Sequence, residues 1–107
     1  MTASEKSILS EITALIVREL SPEKIILFGS RTNGEARKTS DIDIAIKSKE
    51  SPLFVKEILD EDLETLLKVD VVDINRVDKQ FKRNILANGI VLYEKTSKDV
   101  SRPKKGG

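Results

Sequence analysis

Three aspartates carry the chemistry most readily read from the chain, because each interrupts a run of apolar residues. Asp41 and Asp43 stand in DIDIAIK and Asp70 in VDVVDI. Partly burying a carboxylate costs several kcal/mol unless a partner neutralises it, and a cation is the natural partner. Residues i and i+2 of a strand point the same way, roughly 6.5 to 7 Å apart, so Asp41 and Asp43 can converge on ions about 3.5 to 4 Å apart. Asp70, from a neighbouring strand, could complete the set. Asp73 competes with it, but three residues along a strand the side chain faces the opposite way, so only one of the two can join. Upstream, Gly29-Ser30 follows the apolar run KIILF. A glycine and a hydroxyl where a strand enters a turn let the backbone approach a phosphate closely. Gly29 and Gly34 have the glycine spacing of a P-loop, yet Glu35 occupies the position of its essential lysine, so that reading fails.

The composition removes most other chemistries. Without Cys or His there is no disulfide scaffold, thiolate metal site, Cys nucleophile or histidine base. Oxygen ligands remain, and these suit hard ions such as Mg²⁺ and Mn²⁺. Nineteen Lys and Arg against 18 Asp and Glu give a net charge of +1, which points to neither nucleic acid nor an acidic role. No apolar run approaches the ~20 residues of a membrane span, and the N-terminal MTASEKSILSE is acidic where a signal peptide is basic. A cytoplasmic location is expected.

The elements that must position the acids follow from periodicity. Residues 4–20 place Ile8, Leu9, Ile12, Leu15, Ile16 and Leu20 on one helical stripe, with Thr2 or Ser4 as cap. Residues 24–28 read as a buried strand, 29–40 as a loop with one short helix, and 41–47 as a strand with Ile42, Ile44 and Ile46 on one face and Asp41, Asp43 and Ala45 on the other. Ser51-Pro52 opens a helix ending near residue 68. Residues 69–74 form a third strand. A helix over 78–88 turns Phe81, Ile85 and Leu86 inward and is capped by Asn88-Gly89, and 90–94 form a fourth strand. Residues 95–107 hold five basic residues against one Asp and almost nothing apolar, so a disordered tail is expected after a domain of residues 1–94. The acidic run Asp60-Glu61-Asp62 reads as a solvated helix face, since successive helical residues diverge.

A Gly-Ser turn, ten residues, Asp-x-Asp on a strand and a third strand Asp together resemble the nucleotidyltransferases of the DNA polymerase β superfamily. The resemblance covers residues 8–94 and is nearest to the minimal nucleotidyltransferase group, the antitoxin-like partners of HEPN-domain proteins. It implies an α/β (α+β) fold, a small mixed sheet of about four strands flanked by helices. It also implies a two-metal, Mg²⁺-dependent transfer of AMP from ATP, with Mn²⁺ as a substitute ion. Asp41 and Asp43 would bridge both ions, and Asp70 would bind the one nearer the attacking hydroxyl and take its proton. Gly29 and Ser30 would hold the triphosphate tail, which Arg31 would neutralise. The acceptor implied is a tyrosine hydroxyl of a HEPN ribonuclease toxin. Two alternatives stay open: a binding module that silences such a partner by occlusion, and nucleotidyl transfer to a small molecule or RNA.

Overall fold

The computed structural model describes residues 3–29, 41–62 and 68–95. Seven elements follow in order: α1 (Ala3–Leu20), β1 (Lys24–Phe28), β2 (Ile42–Lys47), α2 (Val55–Asp62), β3 (Val69–Asp73), α3 (Lys79–Asn88) and β4 (Ile90–Glu94). The strands form one sheet in the order β3-β2-β1-β4. β1 runs antiparallel to β2 and to β4, while β2 and β3 are parallel. A parallel pair needs a crossover, which the segment containing α2 supplies. The architecture is the mixed sheet with flanking helices that the sequence implies.

Alternation sorts the side chains into two layers. Ile42, Ile44 and Ile46 of β2 join Ile25 and Leu27 of β1, Val69 of β3, and the α1 stripe of Leu9, Ile12, Leu15, Ile16 and Leu20 in the main core, closed by Val55 and Leu59 of α2. Each fully buried Ile or Leu contributes about 1.5–3 kcal/mol relative to exposure. On the opposite face, Ile26 and Ala45 pack against Ile74 and Ile85, with Phe28 and Val77 at the margin. That second layer is thin, and α3 covers only part of the sheet face on which Asp43 stands.

Several expectations are refined. β2 begins at Ile42 rather than Asp41, because Asp41 precedes the first ladder bond, from the Ile42 N–H to the Lys68 carbonyl (2.8 Å). α2 begins at Val55, not at Pro52. The N–H groups of Val55, Lys56 and Glu57 bond back to the carbonyls of Pro52, Leu53 and Phe54, three residues away, and this tighter turn leaves Leu53 and Phe54 exposed. The expected continuation of that helix through residues 63–67 lies outside the described residues. On α3 only Ile85 is buried. Phe81 and Leu86 are 38% and 49% exposed, since no second element among the described residues covers the thin front layer.

Gly89 does cap α3, donating to the Ile85 carbonyl, but with an extended backbone (φ −77°) rather than a left-handed one. Its glycine is required for space: a Cβ there would overlap Ile26 and lie 2.6 Å from the Ile85 carbonyl oxygen. The expected short helix of residues 29–40 and the tail from residue 96 onward fall outside the described residues. Among the described residues, no helix is long and apolar enough to cross a membrane.

Candidate functional site

Asp43 sits where three strands meet. Its register partner on β1 is Phe28 and its register partner on β3 is Asp70. Neighbouring strands lie about 4.8 Å apart, and residues in register share a face, so the parallel pairing brings the two carboxylates side by side at one end of the sheet. Asp41, two residues before Asp43 and just outside the strand, is near enough for its charge to act on Asp43.

The electrostatics record this crowding. Partial burial is the largest influence pushing the Asp43 carboxyl above the usual aspartate range, followed by the negative charges of Asp70 and then Asp41. The apolar half of β2 creates the situation, because anchoring Ile42 and Ile44 in the main core leaves Asp43 no alternative face. Asp73 belongs to a different arrangement. It pairs in register with Ile46, is only 9% exposed, and accepts from the Asn75 N–H at 2.9 Å while lying 3.7 Å from Arg76. It therefore closes the turn after β3 and takes no part in the cluster.

Gly29 completes the approach. Its φ of +87° lies in the left-handed region that a side chain disfavours, and a Cβ there would be 2.5 Å from the Asp43 carboxylate oxygen Oδ2. The chain thus turns directly over the acid, as close as backbone can come. Of the other residues singled out from sequence, Ser30 and Arg31 lie outside the described residues.

Two neighbours had no motif to announce them. Lys56, in the first turn of α2, has its ammonium 3.6 Å from Asp70 Oδ1. The one signal in the sequence is its i,i+4 spacing to Asp60, with which it also pairs at 3.8 Å. Beside Gly29, a cleft of about 230 Å³ is lined by Phe28, Phe81, Asn84 and Asn88. The rings of Phe28 and Phe81 meet edge to face at 5.7 Å. Exposed Phe81 therefore packs on the front face as a local wall and not as core.

Among the described residues, no three acids are already gathered closely enough to form a cation cage. The donor set still fits a hard divalent ion. It consists of carboxylate oxygens alone, and a cation among the three would offset both the partial burial of Asp43 and the neighbouring negative charges of Asp70 and Asp41 that push its carboxyl upward.

Comparison with known proteins bears on the family and the fold. The family model described as "Polymerase beta, Nucleotidyltransferase" matches residues 10–98. "Probable protein adenylyltransferase MntA" of Haemophilus influenzae is 34% identical, covering 86% of this chain and 84% of that protein. MJ1215 of Methanocaldococcus jannaschii, also named as a protein adenylyltransferase, is 36% identical and covers 71% of this chain and 93% of its own length. The crystal structure of the MntA–HepT toxin–antitoxin is similar in fold, with a TM-score of 0.60 at 20% identity over 88% of this chain and 76% of that one.

Proposed function

Because the chain belongs to the polymerase β nucleotidyltransferase family, we propose that this nucleotidyltransferase is a protein adenylyltransferase that moves AMP from ATP to a tyrosine hydroxyl of a HEPN ribonuclease toxin, as its antitoxin. The observation that carries the reading is the parallel register that sets Asp70 beside Asp43, under a glycine turn where backbone meets carboxylate. The two relatives named as protein adenylyltransferases and the MntA–HepT complex support the choice of a protein acceptor.

Asp41, Asp43 and Asp70 are the residues that would hold Mg²⁺, as two ions, with Mn²⁺ as substitute. When bound, Mg²⁺ supplies positive charge to the reacting phosphoryl group and its leaving group. Gly29 and Ser30 receive the triphosphate tail through close backbone approach, and Arg31 neutralises it. Asp70, the outermost of the three on the edge strand, accepts the proton of the acceptor hydroxyl; with no histidine in the chain, a carboxylate is the available base. The hydroxyl oxygen then bonds to the α-phosphorus as the bond to pyrophosphate breaks. Residues 1–94 form the transferase domain and 95–107 a basic tail, and the reaction draws on cytoplasmic ATP.

The test is to incubate the purified protein with Mg²⁺, ATP and the toxin encoded beside it, and to weigh the toxin intact. Addition of AMP mass to a tyrosine is expected. No addition while ATP is bound contradicts the proposal. Blocking by occlusion alone, the competing reading, gains some weight from acids that are near one another but not gathered. It predicts that an Asp43→Asn variant still protects cells from the toxin, whereas the transferase reading predicts that protection is lost.

A further inference from the structure

Lys56 stands at the outer edge of the sheet, where β3 has no neighbouring strand among the described residues. In the parallel β2–β3 pair the Lys68 carbonyl points inward to the Ile42 N–H, so by alternation the next carbonyl, that of Val69, points outward. The Lys56 ammonium donates to it at 2.8 Å. From that anchor it is 3.6 Å from Asp70 Oδ1 and 3.8 Å from Asp60 Oδ2, both longer than a hydrogen bond. Its backbone is equally fixed, since Val55 beside it and Leu59 one turn later are buried in the main core. The ammonium is thus tied to a carbonyl and leans on Asp70 by charge alone. Among the described residues it is the one cation shown paired with an acid of the site, Asp70.

Resting on the transferase reading above, we infer that Lys56 is a positioning residue that makes divalent-ion binding at Asp70 depend on the nucleotide. Its fixed positive charge holds the Asp70 carboxylate while no substrate is present and repels a free divalent cation approaching the same oxygens. A metal–ATP complex carries net negative charge and is attracted by the same ammonium. The ion therefore settles with the nucleotide rather than ahead of it, and acids crowded enough to disturb Asp43 do not become a standing sink for metal. Because Asp70 is held by charge and not by a hydrogen bond, it can turn from Lys56 to an ion without breaking a directional contact.

The two ligands should respond to loss of this charge in opposite directions, which a purely structural role would not produce. Lys56→Met keeps the apolar stem and Lys56→Gln keeps a donor for the edge carbonyl. Both should tighten binding of Mn²⁺ alone, followed by the loss of its free-ion electron paramagnetic resonance signal, by roughly three- to tenfold at low salt. Both should weaken calorimetric binding of a non-hydrolysable ATP analogue with Mg²⁺ by roughly threefold. Lys56→Arg should behave as the wild type. Thermal melting identifies a variant that fails to fold, and the second neutral variant then decides. Mn²⁺ affinity that is unchanged or weaker in a folded neutral variant overturns the inference and leaves the transferase reading standing. Failure of the wild type to bind either ligand overturns both.

Discussion

The two faces of β2 make the sharpest contrast in the molecule. On the back, Ile42, Ile44 and Ile46 are almost wholly excluded from water and packed by two helices. On the front, one residue over, Asp43 is half-buried beside other acids and only Ala45 is fully packed, with α3 the one helix over that face among the described residues. Both patterns come from one six-residue strand. The back face contributes the stability that lets the front hold like charges together, and the pleat keeps the two from mixing. In a strand of period two, a functional cluster and its support can share every second residue.

This contrast can be broken from either side. The largest effect should be on the back. Ile44→Ala removes a fully buried side chain from the centre of the main core and is expected to lower unfolding free energy by about 2–5 kcal/mol in denaturant titrations. A loss below about 1 kcal/mol would mean that the back layer is not the support described. Next comes Gly29→Ala, which places a side chain in the left-handed region at about 1–2 kcal/mol and drives it against the Asp43 carboxylate. Its effect on transfer should exceed its effect on melting, on the order of a hundredfold for a displacement near 1 Å.

The smallest change in stability, and the most telling in sign, is Asp43→Asn. An acid whose folded-state pKa is raised costs stability, fully above that pKa and not at all below the unfolded value near pH ~4. The variant should therefore melt higher than the wild type at neutral pH, with the difference shrinking as pH falls towards ~4. A variant less stable at pH 7 would show that Asp43 is favourably paired instead of crowded.

The sequence made the acids and their supporting strand legible because both depend on local rules. Alternation placed Asp43 opposite Ile42 and Ile44, and odd spacing separated Asp70 from Asp73 before any pairing was known. The sequence does not contain the pairing itself. That β3 lies parallel to β2 with Asp70 level with Asp43 depends on how the crossover closes, which periodicity does not specify. Lys56 was invisible for the same reason: its contact with Asp70 spans that crossover, whereas the i,i+4 pair with Asp60 looked like ordinary helix surface. Phe81 and Leu86 were placed inward because helical spacing identifies an apolar face without saying how much protein lies above it. Gly89 was read by residue type as a helix cap, while the close packing of Ile26 is what demands a glycine.

The central claim, that Asp41, Asp43 and Asp70 jointly hold divalent ions beneath a phosphate-binding turn, is tested most directly by a crystal structure with Mn²⁺ and a non-hydrolysable ATP analogue. Anomalous scattering should place the manganese among those three carboxylates, with the triphosphate against Gly29. Manganese and nucleotide bound elsewhere at full occupancy, with the three carboxylates bare, would contradict it.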